Sequence, residues 1–146
     1  MARIDITCAY SRVPAKPSQA FPSKTEVLMP LFQMVVGTPS SGSIGFTGLL
    51  DTAAVHTMFK TDIAEALGLD WRNAPTVPIR GIAGGVSGHA MDVTLAITEH
   101  KYSWVSRVVF CPPPFEIKLP LIGHMGFFEH FEVRFRSDKN FHVFLK

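Results

Sequence analysis

The stretch 44-IGFTGLLDTAAVHTMF-59 ends an apolar run with one acid, Asp51, and follows it with the small residues Thr52, Ala53 and Ala54. An ionised carboxylate in an apolar setting is costly unless its oxygens are hydrogen-bonded, so Asp51 needs a reason for its place. Two readings supply one. In the first, Asp51 caps the turn or helix that follows, an ordinary use of Asp after a strand. In the second, a tight loop of small residues presents the carboxylate at a strand end, backbone N–H groups hold its geometry, and Leu49 and Leu50 pack inward.

The surroundings read as mostly β. Upstream, 3-RIDITCAY-10 is a first strand, and residues 11–24, with three prolines, read as an arm or long loop because Pro cannot donate to a sheet ladder. Residues 25–38 read as a strand interrupted at Pro30, 39-PSSGS-43 as a turn and residues 44–50 as the partner strand of a hairpin, with Asp51 at its end. Downstream, Ile63, Ala64 and Leu67 recur at helical spacing, with Thr61 as the expected N-cap and Gly68 as the stop. Residues 76–100 read as a long hairpin with a glycine-rich tip at Gly81, Gly84, Gly85 and Gly88. Residues 102–111 are another strand, broken by 112-PPPFEIKLP-120. Next come a short apolar strand, 119-LPLIG-123, an expected short helix, 124-HMGFFEHF-131, and a closing hairpin over 132–146 with a polar turn at residues 137–140.

Composition narrows the function classes. A chain of 146 residues with twelve Phe and a net charge of +2 suits one globular domain with a sizeable core and lacks the basic footprint of a nucleic-acid binder. No apolar stretch reaches the roughly 20 residues that span a bilayer, so no membrane partner is expected. The first residues, MARIDITCAYSRVPAKP, carry no apolar run after their charges, so no secretory signal is read and the cytoplasm is the expected compartment. Cys8 and Cys111 form neither a C-x-x-C motif nor a disulfide framework. The six histidines show no metal-ligand spacing, and no phosphate-loop signature accompanies the glycines, so neither metal nor cofactor is expected.

The ordered set "LLDTAA", "RGIAGGVSG" and "LPLIGHMGFFEHF" resembles the retropepsin-like aspartic proteases, whose pattern is Asp-Thr/Ser-Gly-Ala after a hydrophobic pair, then a flap hairpin, then a hydrophobic pair with Gly before a short helix. The resemblance covers residues 26–146. It divides the chain into an arm, or strand plus loop, over 1–24 and a protease domain over 25–146. It implies a closed-barrel-like β fold acting as a homodimeric aspartic endopeptidase, with Asp51, Thr52 and Ala53 at the catalytic loop. It also implies a flap over the peptide or protein substrate at Gly81, Ile82, Ala83, Gly84, Gly85 and Val86, with Ile82 and Val86 as the apolar contacts.

Such chemistry needs two carboxylates sharing one proton: one takes a proton from the attacking water while the other hydrogen-bonds the carbonyl oxygen. The other aspartates, Asp5, Asp62, Asp70, Asp92 and Asp138, lack the motif. The second acid therefore has to be Asp51 of an identical chain, which a two-fold axis supplies. The resemblance further implies that Thr52 bonds across that axis and that terminal strands such as 141-FHVFLK-146 pair between subunits.

Three positions depart from the family. Ala53 replaces the usual Gly; if that position needs positive φ, Ala costs about 1 kcal/mol. Val55 and His124 replace an acidic or small polar residue and an Arg that pair in viral members. These departures motivate an alternative, a non-catalytic dimeric peptide-binding module of the same fold. A structural β-barrel domain that contacts a protein partner is a third class.

Overall fold

The computed structural model describes residues 3–80, 85–115, 117–136 and 139–146. Its chain order is β1 (Asp5–Ala9), β2 (Ser11–Pro14), β3 (Glu26–Met29), β4 (Leu31–Gly37), β5 (Ser43–Leu50), β6 (Met58–Lys60), α1 (Thr61–Ala66), β7 (Thr76–Ile79), β8 (Val86–Ile97), β9 (Tyr102–Cys111), β10 (Leu121–Ile122), β11 (Phe131–Phe135) and β12 (Asn140–Leu145). The fold is mostly β, as the sequence reads.

Seven strands form one sheet in the order β4-β5-β10-β6-β9-β8-β7, and a further β4–β8 pairing closes six of them into a ring. Closure removes most free edges. The β4–β5 hairpin runs from Leu31↔Leu49 to Gly37↔Ser43. Pro30 separates β3 from β4 as expected, because it has no N–H for the ladder; its carbonyl still accepts from Leu50 N at 3.0 Å. The long β8–β9 hairpin buries alternate residues, including Val93, Leu95 and Val108.

Beneath this ring lies a three-stranded sheet, β1-β12-β11. Its inner side chains Phe131, Phe141 and Val143 are almost fully buried. They meet the ring through an aromatic cluster: Phe127 stacks on Phe131 at 4.7 Å, Phe32 meets Phe127 edge-on at 5.5 Å, and Trp104 meets Phe131 at 5.1 Å. The buried Trp104 Nε1–H donates to the Gly126 carbonyl at 2.9 Å, so its polar end is satisfied.

Four local expectations change. Residues 11–24 begin with β2, which pairs with β3 from Ser11↔Met29 to Pro14↔Glu26, so the segment is not wholly loop. Strand β12, expected to pair between subunits, is the central strand of its sheet, with β1 on one side and β11 on the other. Thr61 is the first residue of α1 and buried; the N-cap is Lys60, which makes no side-chain cap bond. Gly68 does end that helix, at φ +68.

The fourth change concerns residues 124–131, which form no helix: turns occupy 124 and 126–130, Met125 bridges to His56, and Phe131 already belongs to β11. Gly126 at φ +106 breaks the right-handed run, and Phe128 N and Glu129 N reach back five residues, to the carbonyls of Gly123 and His124. The polar turn expected at 137–140 falls partly outside the described residues. Among the described residues, no helix is long and apolar enough to cross a membrane.

Candidate active site

Asp51 stands where three segments meet. Strand β5 delivers it, β10 runs parallel to the end of β5 with Leu121↔Leu49 and Ile122↔Leu50, and the same β10 pairs antiparallel with β6 at Met58. The loop 51–57 therefore leaves the sheet on one side of β10 and returns on the other. Asp51 N–H donates to the Ile122 carbonyl at 3.0 Å, which ties the start of the loop to β10.

Past Ile122 the chain runs on alongside the loop. His124 N donates to the Ala54 carbonyl at 3.0 Å, Met125 N to Val55 at 2.8 Å, and Thr57 N to Met125 at 3.1 Å. Gly123 is where the two backbones come closest. A Cβ there would lie 2.5 Å from the His56 carbonyl oxygen and 2.7 Å from that of Ala54, so only glycine fits without backbone movement. Thr57, fully buried, fastens the crossing: its hydroxyl donates to the Met125 carbonyl at 2.9 Å and accepts from Gly123 N at 3.1 Å.

The loop's tip then presents the acid. Ala53 N–H donates to Asp51 Oδ1 at 2.9 Å, a side chain bonding the backbone two residues on. The two readings of Asp51 thus share one bond: the carboxylate caps its own turn and is held at the strand end by it. Asp51 is half-buried, while Thr52 and Ala53 are exposed. Among the described residues Lys101 is the one non-glycine at positive φ, so Ala53 carries none of the strain that a Gly-requiring position would impose. The conformational motive for a non-catalytic module falls away with it.

With both halves of the viral pair replaced, His124 does not turn to Val55 but to the loop's backbone. Its Nε2 lies 2.7 Å from the Thr52 carbonyl oxygen, and its ring rests against Phe128 at 5.2 Å. Val55 and Met125, joined backbone to backbone, are 60% and 41% exposed and make the loop's outer side apolar. Of these neighbours, Ile122, Thr57 and the His124 ring were not singled out in the sequence as supports of Asp51. A lone Thr six residues after the acid carries no motif.

The glycine-rich hairpin is built as expected up to its tip. Strands β7 and β8 pair from Thr76↔His89 to Ile79↔Val86. Gly81, Ile82, Ala83 and Gly84 lie outside the described residues. Gly85 is exposed, with open space around it among the described residues, and Val86 packs, half-buried, on a small cluster of Ile79, Val109 and Cys111 next to the hairpin's tip. Burial there pushes the Cys111 thiol up to about 11. Gly88 is fixed by packing, since a Cβ would meet Val109 at 2.3 Å.

No family model and no curated protein matches the sequence. Solved structures do. A retropepsin-like aspartic protease from Rickettsia conorii is similar over 99% of this chain and 94% of its own, with a TM-score of 0.56 and 11% identity. EIAV protease, solved with an inhibitor, is similar over 66% of this chain and 82% of its own, with a TM-score of 0.52 and 19% identity. At such identities the likeness concerns the fold: this chain has the retropepsin-like aspartic protease fold.

Proposed function

We propose that the chain is an aspartic endopeptidase that works as a homodimer, with Asp51 of each protomer forming the dyad. The observation that carries the reading is the Asp51 carboxylate, held by the Ala53 N–H on a loop braced by the β10 crossing, in a fold shared with known aspartic proteases. One carboxylate, ionised, removes a proton from water as that water attacks the peptide carbonyl. The other, protonated, hydrogen-bonds the developing oxyanion. Two such groups a few ångströms apart share one proton because both cannot ionise at once.

A single chain supplies one such acid, so the mechanism requires a partner copy. The exposure of Thr52 and Ala53 and the apolar pair Val55 and Met125 beside them support a surface that a second copy covers. The hairpin over 81–86 then serves as the flap that excludes water from the bound peptide or protein substrate.

Cleavage of a peptide library from acidic to neutral pH tests the assignment. Wild type is expected to cleave, and Asp51→Asn to lose about a thousandfold or more of kcat/KM. Cleavage that survives the substitution rules out the dyad.

A further inference from the structure

One peptide unit of the Asp51 loop is held at both ends. The Thr52–Ala53 peptide offers its N–H to Asp51 Oδ1 at 2.9 Å, while its carbonyl oxygen lies 2.7 Å from His124 Nε2. In a trans peptide these groups point in opposite directions, so the two bonds fix the rotation of that plane between them. A carbonyl can only accept, so His124 donates and carries its proton on Nε2. His124 is itself well anchored: its backbone N–H is bound to the Ala54 carbonyl, its carbonyl accepts from Glu129 N at 3.1 Å, and its ring lies against Phe128.

From this geometry we infer that His124 is a positioning residue for Asp51, acting through the Thr52–Ala53 peptide. A donor at the carbonyl polarises the amide and makes its N–H a stronger donor to the carboxylate, since chained hydrogen bonds reinforce one another. Without His124 the peptide keeps only its own N–H bond to Asp51 and the turn closed by Ala54 N–H on the Asp51 carbonyl at 3.1 Å, and the direction of the Asp51 side chain is held less firmly. The partner is a neutral carbonyl, which a single N–H satisfies. A role in peptide hydrolysis rests on the reading of Asp51 given above; the positioning of the carboxylate does not.

Nuclear magnetic resonance of the full chain tests the inference without requiring activity. In wild type, the side-chain nitrogen spectrum of His124 is expected to show the Nε2–H tautomer at neutral pH, and the Ala53 amide proton to resonate downfield. His124→Phe keeps a ring against Phe128 but removes the donor, and the Ala53 resonance is expected to move upfield. His124→Gln keeps a donor and is expected to restore most of the downfield position. In a peptide-cleavage assay, His124→Phe is expected to lower kcat about tenfold with KM within about twofold, and His124→Gln to recover part of the loss.

An Ala53 resonance unchanged in His124→Phe overturns the inference. Should that variant fail to fold, the wild-type spectrum decides, because an Nδ1–H tautomer leaves nothing to donate to Thr52. An inactive wild type with the expected Ala53 shifts would sink the peptidase reading and leave this one standing.

Discussion

Two glycines measure the contrast between the loop that carries Asp51 and the hairpin expected to face it. At Gly123, where the 122–125 segment crosses loop 51–57, an added Cβ would sit 2.5 Å from a backbone oxygen; at Gly85, beside the hairpin tip, it would meet nothing among the described residues within 4 Å. The crossing is glycine by packing necessity, and hydrogen bonds run along it from Asp51 to Thr57. Gly85 answers to no neighbour among the described residues. A rigid support under the acid and an unfilled space around the hairpin's glycine are what a site needs when one part fixes the reacting group and the other admits a substrate.

The contrast breaks most severely at the crossing. Gly123→Ala is expected to destabilise the fold by about 3 kcal/mol or more, since the neighbours that must yield are backbone atoms; chemical denaturation measures it. Next in size is Thr57→Val, similar in shape but without the hydroxyl. It leaves the buried Gly123 N–H unpaired and is expected to cost about 2 kcal/mol, with the loss visible in the same denaturation curves.

The hairpin end is gentler. Cys111 packs with Ile79 and Val109 below its tip, and the thiol's pKa is raised from 9.0 to about 11. A group that keeps its proton in the folded chain after the unfolded chain has lost its own contributes stability below about pH 9, and that contribution fades as pH rises toward about 11. Tm is therefore expected to decline over that range, and less so in Cys111→Ala. Smallest of all, Gly85→Ala is expected to change stability by no more than about 0.5 kcal/mol. A large loss there would show that the hairpin tip is packed after all.

The same contrast separates what the sequence reveals from what it hides. Strand β5 ending just before Asp51, the break at Pro30 and the β7–β8 hairpin follow from local chemistry, namely apolar alternation, a missing N–H and turn residues. The turn run after Gly123 does not, because the apolar spacing of Phe127, Phe128 and Phe131 suits a helix and only the φ of +106 at Gly126 forbids one. Thr61 reads as a cap from its residue type, yet the helix begins on it because its side chain is buried. The central place of β12 and the reach of His124 to Thr52 join residues 135 and 72 positions from their partners, as in the Thr7–His142 and Thr52–His124 bonds. Periodicity carries no information about such pairings; they arise from which segments lie side by side, β1 against β12 in one sheet and the run after β10 against loop 51–57.

The separation of the two Asp51 carboxylates in a crystal structure of the assembled protein tests the central claim most directly. A two-fold dimer is expected, with those oxygens within hydrogen-bond reach, about 3 Å apart. Carboxylates held well beyond that reach, or a chain that crystallises without such a partner and stays monomeric in solution, would contradict it.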